Sequence, residues 1–381
     1  MTNNHFDVTI SVWNDFHSPP LVAGLHNAGF KVTHHTTARQ KAPCSRFVRN
    51  IPASAFNHLA FRGALPSSHA FKWSRRCIDS HGARLVQNSK AFWGWSGCSL
   101  KGLQAAKAEG KPAILERGST HCVWNNEKVS AEYKRLGLSL DGIASSQEIR
   151  YDLLEYKTAD QICIPSRFVL DTFLENGFPK EKLFLNAYGV DYDFWSTGSN
   201  THKKENEAFT FLWVATLMPR KGIAILLDAW RKANLKAARL VLVGGVSKSI
   251  ENLLRDLPRG VTVMQFMDHA AVRNQMAKSH VYVLPSFEEG MARSVLEAGA
   301  AGLPVLITKE TGATDIFMSG RDGLVVPSGD SDYLAETLTQ MYNNPDTTIE
   351  MGKSAQKSVC PFTWDAYGKR AANFLESLIN F

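Results

Sequence analysis

Two acids eight residues apart, Glu289 and Glu297, stand in a stretch that runs Val281-Tyr-Val-Leu-Pro-Ser-Phe-Glu-Glu-Gly-Met-Ala-Arg-Ser-Val-Leu-Glu-Ala298. An apolar strand ends at Pro285, a short loop carries Glu289, and a helix is expected to begin near Gly290. Glu297 then lies about two turns into that helix. Carboxylates placed in this way accept hydrogen bonds from paired hydroxyls and can hold two separate polyols along one ligand. The backbone N–H groups of Gly290, Met291 and Ala292 are expected as unpaired helix-start donors suited to phosphate or sugar oxygens, and Gly290 carries no side chain to block their approach. A second cluster, Val214-Ala-Thr-Leu-Met-Pro-Arg-Lys-Gly222, again falls between a strand and a helix. It sets Arg220 and Lys221 where a diphosphate needs positive charge, Arg being able to bind two oxygens at once. The same turn carries Thr216. A third cluster, Leu242-Val-Gly-Gly245, ends a strand on a glycine pair, so that Gly244 lets a ligand approach the backbone.

The elements that must position these residues alternate strand and helix. In the first half a strand is expected over 6–12, a loop over 13–20, a helix over 21–28 ended by Gly29, and a strand over 31–33. That is a βαβ unit with parallel pairing and a right-handed crossover. A further strand over 111–115 leads into a loop with Glu116, Arg117 and His121, and one over 161–166 leads into a helix over 167–175. The polar run 196–207 is the best linker. Beyond it strands are expected over 209–215, 239–243, 261–265, 281–285 and 304–308, with helices over 223–233, 271–279 and 292–301. The fold class is therefore α/β: two Rossmann-like domains with open parallel sheets, residues 1–195 and 206–360. Ligands in such sheets bind beyond the carboxyl ends of strands, where each cluster above lies.

At 381 residues the chain exceeds one typical core, which agrees with two domains. Its start lacks the basic and apolar regions of a signal peptide. No run approaches the ~20 apolar residues of a membrane span. The six scattered cysteines form no C-x-x-C pair, so a reducing, cytoplasmic setting is expected, with the thiols as small buried hydrophobes. Metal-ligand spacing is absent, and no metal is expected. The net charge of +7 is uneven. Between Lys31 and Lys90 eleven Lys/Arg face one acid, Asp79, so residues 31–90 carry more positive charge than the whole chain. Such a field suits an anionic partner, here an anionic membrane surface on the cytoplasmic side or an acidic acceptor, with a solvated basic face as the plain alternative. Aromatic residues lie beside it: Phe71, Trp73 and Phe92-Trp-Gly-Trp95, which serve either a membrane interface, stacking on an acceptor sugar, or core packing. None of the standard nucleic-acid modules is visible, and no nucleic acid is expected as partner.

The Glu289-Gly-x6-Glu297 pattern followed by Ala298 resembles the E-x7-E signature of family 4 (group 1) glycosyltransferases, which have the GT-B fold. Tyr188-Gly-Val-Asp191 looks like the turn before that family's interdomain linker, and Arg220-Lys-Gly222 like its lysine-glycine phosphate site. Gly302-Leu-Pro-Val305, Thr311-Gly312 through Asp315, and Asp322-Gly-Leu-Val-Val-Pro327 fit its later donor-side motifs. Pro361-Phe-Thr-Trp364 and the residues to 381 look like its terminal helix, which crosses back to the first domain. The match is specific from about Tyr188 onward and holds only in outline before it. The resemblance implies retaining transfer from a nucleoside diphosphate sugar to a carbohydrate or lipid-linked acceptor, with no tightly bound cofactor and no metal. The N-terminal domain would be the acceptor side. By that analogy Glu297 holds the ribose diol, Glu289 a donor-sugar hydroxyl, and Arg220 and Lys221 the diphosphate. Two departures stand out. Where the family has Gly-Arg, this chain has Ala215-Thr216, with Arg220 four residues on as a replacement. Where the family has a histidine after an N-terminal strand, this chain has Glu116, Arg117 and, slightly later, His121. His17 in the first loop would face the cleft if that loop is placed as in relatives. Two other readings remain: an epimerase of the same fold, which turns over donor without acceptor, and a non-catalytic sugar-nucleotide-binding protein, which the Ala215-Thr216 departure favours and the intact Glu pair opposes.

Overall fold

The computed structural model describes residues 6–62, 64, 66–140, 143–197 and 208–380. Two all-parallel sheets carry it. The first contains β1 (Phe6–Val12), β2 (Val32–Thr36), β3 (Arg46–Arg49), β4 (Ser89–Trp95), β5 (Ala113–Glu116), β6 (Gln161–Ile164) and β7 (Leu183–Leu185), in the order β3-β2-β1-β4-β5-β6-β7. The second contains β8 (Thr210–Val214), β9 (Arg239–Val243), β10 (Val261–Met264), β11 (Val281–Leu284), β12 (Val305–Thr308) and β13 (Gly323–Val326), in the order β10-β9-β8-β11-β12-β13. Each order reverses once, between β1 and β4 and between β8 and β11. The crevice at such a reversal is where open α/β sheets take their ligands. Most of the expected linker, 198–207, lies outside the described residues.

Several element limits differ from those read off the chain, each for a physical reason. The first helix is Ser18–Asn27, starting three residues early with Pro19 and Pro20 in its first turn; proline is tolerated there because those N–H groups have no helical partner. Strand β2 runs on through His34 and His35 to Thr36. Both imidazoles are buried in the sheet, His35 bonded to Ser11 Oγ at 2.9 Å and His34 to Ser18 Oγ at 3.2 Å. Burial holds their pKa values down, at about 4 for His34 and about 3 for His35, so they pack as neutral groups. The aromatic run Phe92–Trp95 is the C-terminal half of β4, paired with β1 and β5, and Phe92, Trp93 and Trp95 are buried. Core packing is thus its main role, whereas Trp73 stands exposed. Residues 46–85, for which the sequence sets no element, form β3 and the helices Ile51–Phe61 and Ser67–Leu85.

The helix Trp364–Ile379 returns to the first sheet. It lies so close to the helix Ser18–Asn27 that a side-chain carbon on either Gly24 or Gly368 would strike the opposite backbone. Phe374 stacks on Phe184 of β7 at 3.8 Å and meets Trp93 edge-on at 5.9 Å. Arg370 donates to Asn186 Oδ1 (2.8 Å) and to the Ala187 carbonyl (2.6 Å), fixing the chain just before it passes to the second sheet.

Candidate active site

The strand tips of both sheets face one cleft of about 700 Å³, within the range of nucleotide-sized sites. The second sheet supplies Thr216, Arg220 and Lys221 after β8, Gly244 after β9, and Glu289, Met291, Ala292 and Glu297 after β11. The first supplies Phe16 and His17 after β1, Trp95 and Ser96 at the end of β4, and Glu116, Arg117 and Ser119 at the end of β5.

The donor-side wall is a compact set of opposed charges. Lys221 Nζ pairs with Glu289 Oε1, and Arg220 Nη1 lies 3.4 Å from Glu289 Oε2. The turn that carries both cations ends at Gly222, whose φ of 79° brings it against the Pro285 carbonyl at the tip of β11. Burial draws the Lys221 pKa down, and the Glu289 carboxylate opposes that shift. Arg220 is held above its ordinary range, the acids Glu289 and Glu288 outweighing its burial. Glu297 is half-buried in the helix Arg293–Ala300; burial raises its carboxyl, with Arg293 and His269 working against the rise.

Three of the backbone expectations change. The helix starts at Arg293 rather than near Gly290. The Ala292 N–H is not an unpaired donor, because it bonds to the Thr311 carbonyl at 2.9 Å. Gly290 does not line the cleft. It lies between the two domains, where a side-chain carbon would strike the Gly118 carbonyl, and its own carbonyl accepts from Ser166 Oγ at 2.6 Å. Its lack of a side chain serves domain contact, not ligand approach.

On the facing wall Glu116, almost fully buried at the edge of the cleft, is paired with His17. Its carboxylate sits 2.7 Å from His17 Nε2 and accepts from Trp93 Nε1 at 3.0 Å and from the Tyr367 hydroxyl at 3.5 Å. The His17 ring packs on Tyr188 at 4.4 Å and on Trp95 at 5.1 Å. Arg117 stands beside it, held by Asp152 Oδ2 and Ser96 Oγ at 3.1 Å each and by the Thr120 carbonyl at 2.8 Å. His121 is a correction. It heads the helix Cys122–Arg135 with its ring turned away from the cleft, 4% exposed, against Tyr156 and Phe173. Burial and then the charge of Arg117 lower its pKa to about 4, so it stays neutral. On this wall the histidine that lines the cleft is His17, from the first loop, while His269 lines the donor side. That loop bears a signal of strain: Asn14 and Phe16 both have positive φ, 75° and 43°, and such conformations concentrate at functional sites.

Sequence reading also passed over Glu288, the neighbour of Glu289. It is 1% exposed and bridges Arg220 to the first domain's loop at Ser119 and Thr120. Among the described residues no cluster of three His, Cys, Asp or Glu side chains is placed to hold a metal ion.

Residues 208–344 match the family model "Glycosyl transferases group 1". Over 92% of this chain and 90% of its own length, an uncharacterized glycosyltransferase of Methanocaldococcus jannaschii is 25% identical. The capsular polysaccharide biosynthesis glycosyltransferase CapM of Staphylococcus aureus is 26% identical over 58% of this chain, which spans only 56% of it. Among solved structures, the sucrose-phosphate synthase of Thermosynechococcus elongatus superposes with a TM-score of 0.74 at 17% identity, over 98% of this chain and 99% of the other. HepE of Anabaena, solved with UDP and glucose, does so with 0.69 at 16%, over 98% and 100%.

Proposed function

From a chain that is a glycosyltransferase of the GT-B fold, with a group 1 domain over residues 208–344, we propose a retaining, metal-independent transfer of a sugar from a nucleoside diphosphate sugar to a carbohydrate or lipid-linked acceptor. Glu297 takes the ribose diol, Glu289 a hydroxyl of the transferred sugar, and Arg220 and Lys221 the diphosphate. Met291, Gly244 and Thr216 complete the donor wall, while Glu116, through His17, faces the acceptor. The observation that carries the reading is the paired set Glu289–Lys221–Arg220 at the β8 and β11 tips, opposite the His17–Glu116 pair. The acid and the cations pair with each other across the β8 and β11 tips. An arriving donor replaces each partner: its diphosphate takes the cations and its hydroxyls take the acid, so no charge is left unpaired. As the bond to the sugar breaks, negative charge grows on the diphosphate, and fixed cations stabilise it there; this is the support for transfer without a metal.

Thermal-shift titration with UDP, GDP and ADP, followed by transfer assays with the matching sugar, tests the reading. One diphosphate is expected to raise the melting temperature, since a ligand confined to the native state stabilises it. The product's anomeric configuration is expected to match the donor's, with activity unchanged by EDTA. Donor turnover without acceptor would indicate an epimerase instead, and no response to any nucleotide would remove the donor assignment.

The basic segment 31–90 is proposed to rest on an anionic membrane surface. The support is that Ile51 (72% exposed), Leu59 and Trp73 stand out on the same two helices as the exposed Lys72 and Arg76, with the exposed Arg62 just past the end of the first. Apolar side chains next to cations suit such an interface. Among the described residues no helix is long and apolar enough to cross a membrane. Flotation with anionic liposomes is expected to carry the protein at low salt and release it at high salt; absence of binding at low salt would rule this out.

A further inference from the structure

Glu288 has both carboxylate oxygens engaged, one to each domain. Oε1 accepts from Ser119 Oγ (2.7 Å), Thr120 Oγ1 (2.8 Å) and the Thr120 N–H (3.2 Å). Oε2 accepts from Arg220 Nη1 at 3.0 Å, and the Glu288 carbonyl accepts from the same nitrogen. We infer that Glu288 is a positioning residue for sugar transfer: one carboxylate orients Arg220 toward the diphosphate and holds the Ser119–Thr120 loop of the facing domain, so the donor grip and the contact between the two walls share a single anchor. This rests on the donor reading above.

Three observations carry it. Glu288 does not line the cleft, so whatever it contributes passes through its partners. Its pairing holds the guanidinium through Nη1, which donates to both the Glu288 carboxylate and the Glu288 carbonyl; these bonds to Glu288 use neither Nε nor Nη2. A planar fork held by one nitrogen is pre-oriented for two-point contact with an anion. The anchoring also extends into the acceptor wall, because the Thr120 carbonyl accepts from Arg117 Nε and Nη2, and Arg117 is in turn tied to Asp152. Burial pushes the Glu288 carboxyl up, but Arg220 and the Ser119 and Thr120 hydroxyls outweigh it and bring its pKa to about 2. The anchor therefore stays ionised at any working pH.

Glu288→Gln keeps the shape but turns an amide NH2 toward a guanidinium or toward three donors. It is expected to raise the donor KM roughly tenfold or more and to lower kcat, since bonds to a charged group are being lost. In an Arg220→Lys background the same change is expected to add little, because partners in one network share their losses. Thr120→Val removes one hydroxyl from the other domain, on a side chain that touches no part of the cleft; it is expected to raise the donor KM several-fold and serves if Glu288→Gln does not fold. A role confined to stability would lower the melting temperature of Thr120→Val and leave its donor KM alone. That outcome overturns the inference, as do Glu288→Gln losses that multiply with those of Arg220→Lys. If no nucleoside diphosphate shifts the melting temperature of the unaltered protein, the donor reading itself has failed. If the unaltered protein responds and Glu288→Gln responds equally, only the anchor has failed.

Discussion

Replacing Lys221 with alanine is expected to lower kcat/KM for the donor by about 10²–10³, most of it in kcat, the usual cost of removing one preorganised group facing transition-state charge. The ammonium is largely buried, its side chain 15% exposed, and Glu289 opposes the downward pull of burial on its pKa. A cation in that setting acts more strongly than one in water, because little solvent screens it. The leaving diphosphate gains charge only as the sugar departs, so the loss falls on turnover more than on binding. Glu289 is also left with the more distant Arg220, at 3.4 Å, and an acid stripped of its nearest partner destabilises the fold. A melting curve separates that effect from catalysis, and Lys221→Arg, which restores the charge, is expected to recover part of the rate. Steady-state kinetics decide the matter: a folded Lys221→Ala enzyme within threefold of the unaltered kcat/KM would remove the diphosphate assignment.

What was legible in the chain was what lies close together along it. Glu289 and Glu297 share one strand–loop–helix segment, and Arg220 and Lys221 another, so periodicity and turn residues suffice to set them at strand tips. The facing wall was not legible, because its chemistry is assembled from distant segments. His17 and Glu116 are 99 residues apart and meet only because β1 and β5 flank β4 in the first sheet. Sequence order puts His121 nearest to Glu116 and so favours the wrong histidine: the helix that starts at Cys122 turns His121 into an aromatic cluster instead.

Polarity misled in the same way. His34 and His35 look like a strand's end, yet inside the sheet Ser11 and Asn50 take both ring nitrogens of His35 and Ser18 takes Nε2 of His34, whose Nδ1 stays unpartnered. Two adjacent acids, Glu288 and Glu289, look interchangeable in the chain. Their difference lies in partners contributed 168 and 169 residues earlier, and nothing in local spacing encodes a bond between domains.

A Glu297→Gln enzyme is expected to show the opposite kinetic signature to Lys221→Ala: a donor KM raised about 10- to 100-fold, with kcat reduced much less. The ribose lies away from the breaking bond, so a contact to it is equally strong before and during transfer, and its loss appears in KM. A carboxylate accepts from both hydroxyls of a diol through charge-assisted bonds, each stronger than a neutral one. The carboxamide offers one oxygen and an NH2 that meets a hydroxyl as a second donor, so one bond is lost and the other weakened. The pH dependence supplies an independent check. Burial raises the Glu297 pKa above 4.5, Arg293 and His269 opposing it only in part, so the carboxyl protonates earlier than an exposed acid as pH falls. Donor affinity is therefore expected to be full well above that raised pKa and to decline on acidification through it, and this step should be missing from Glu297→Gln. Were the variant to keep both the unaltered KM and the acid-side step, the ribose contact would have to belong to another residue.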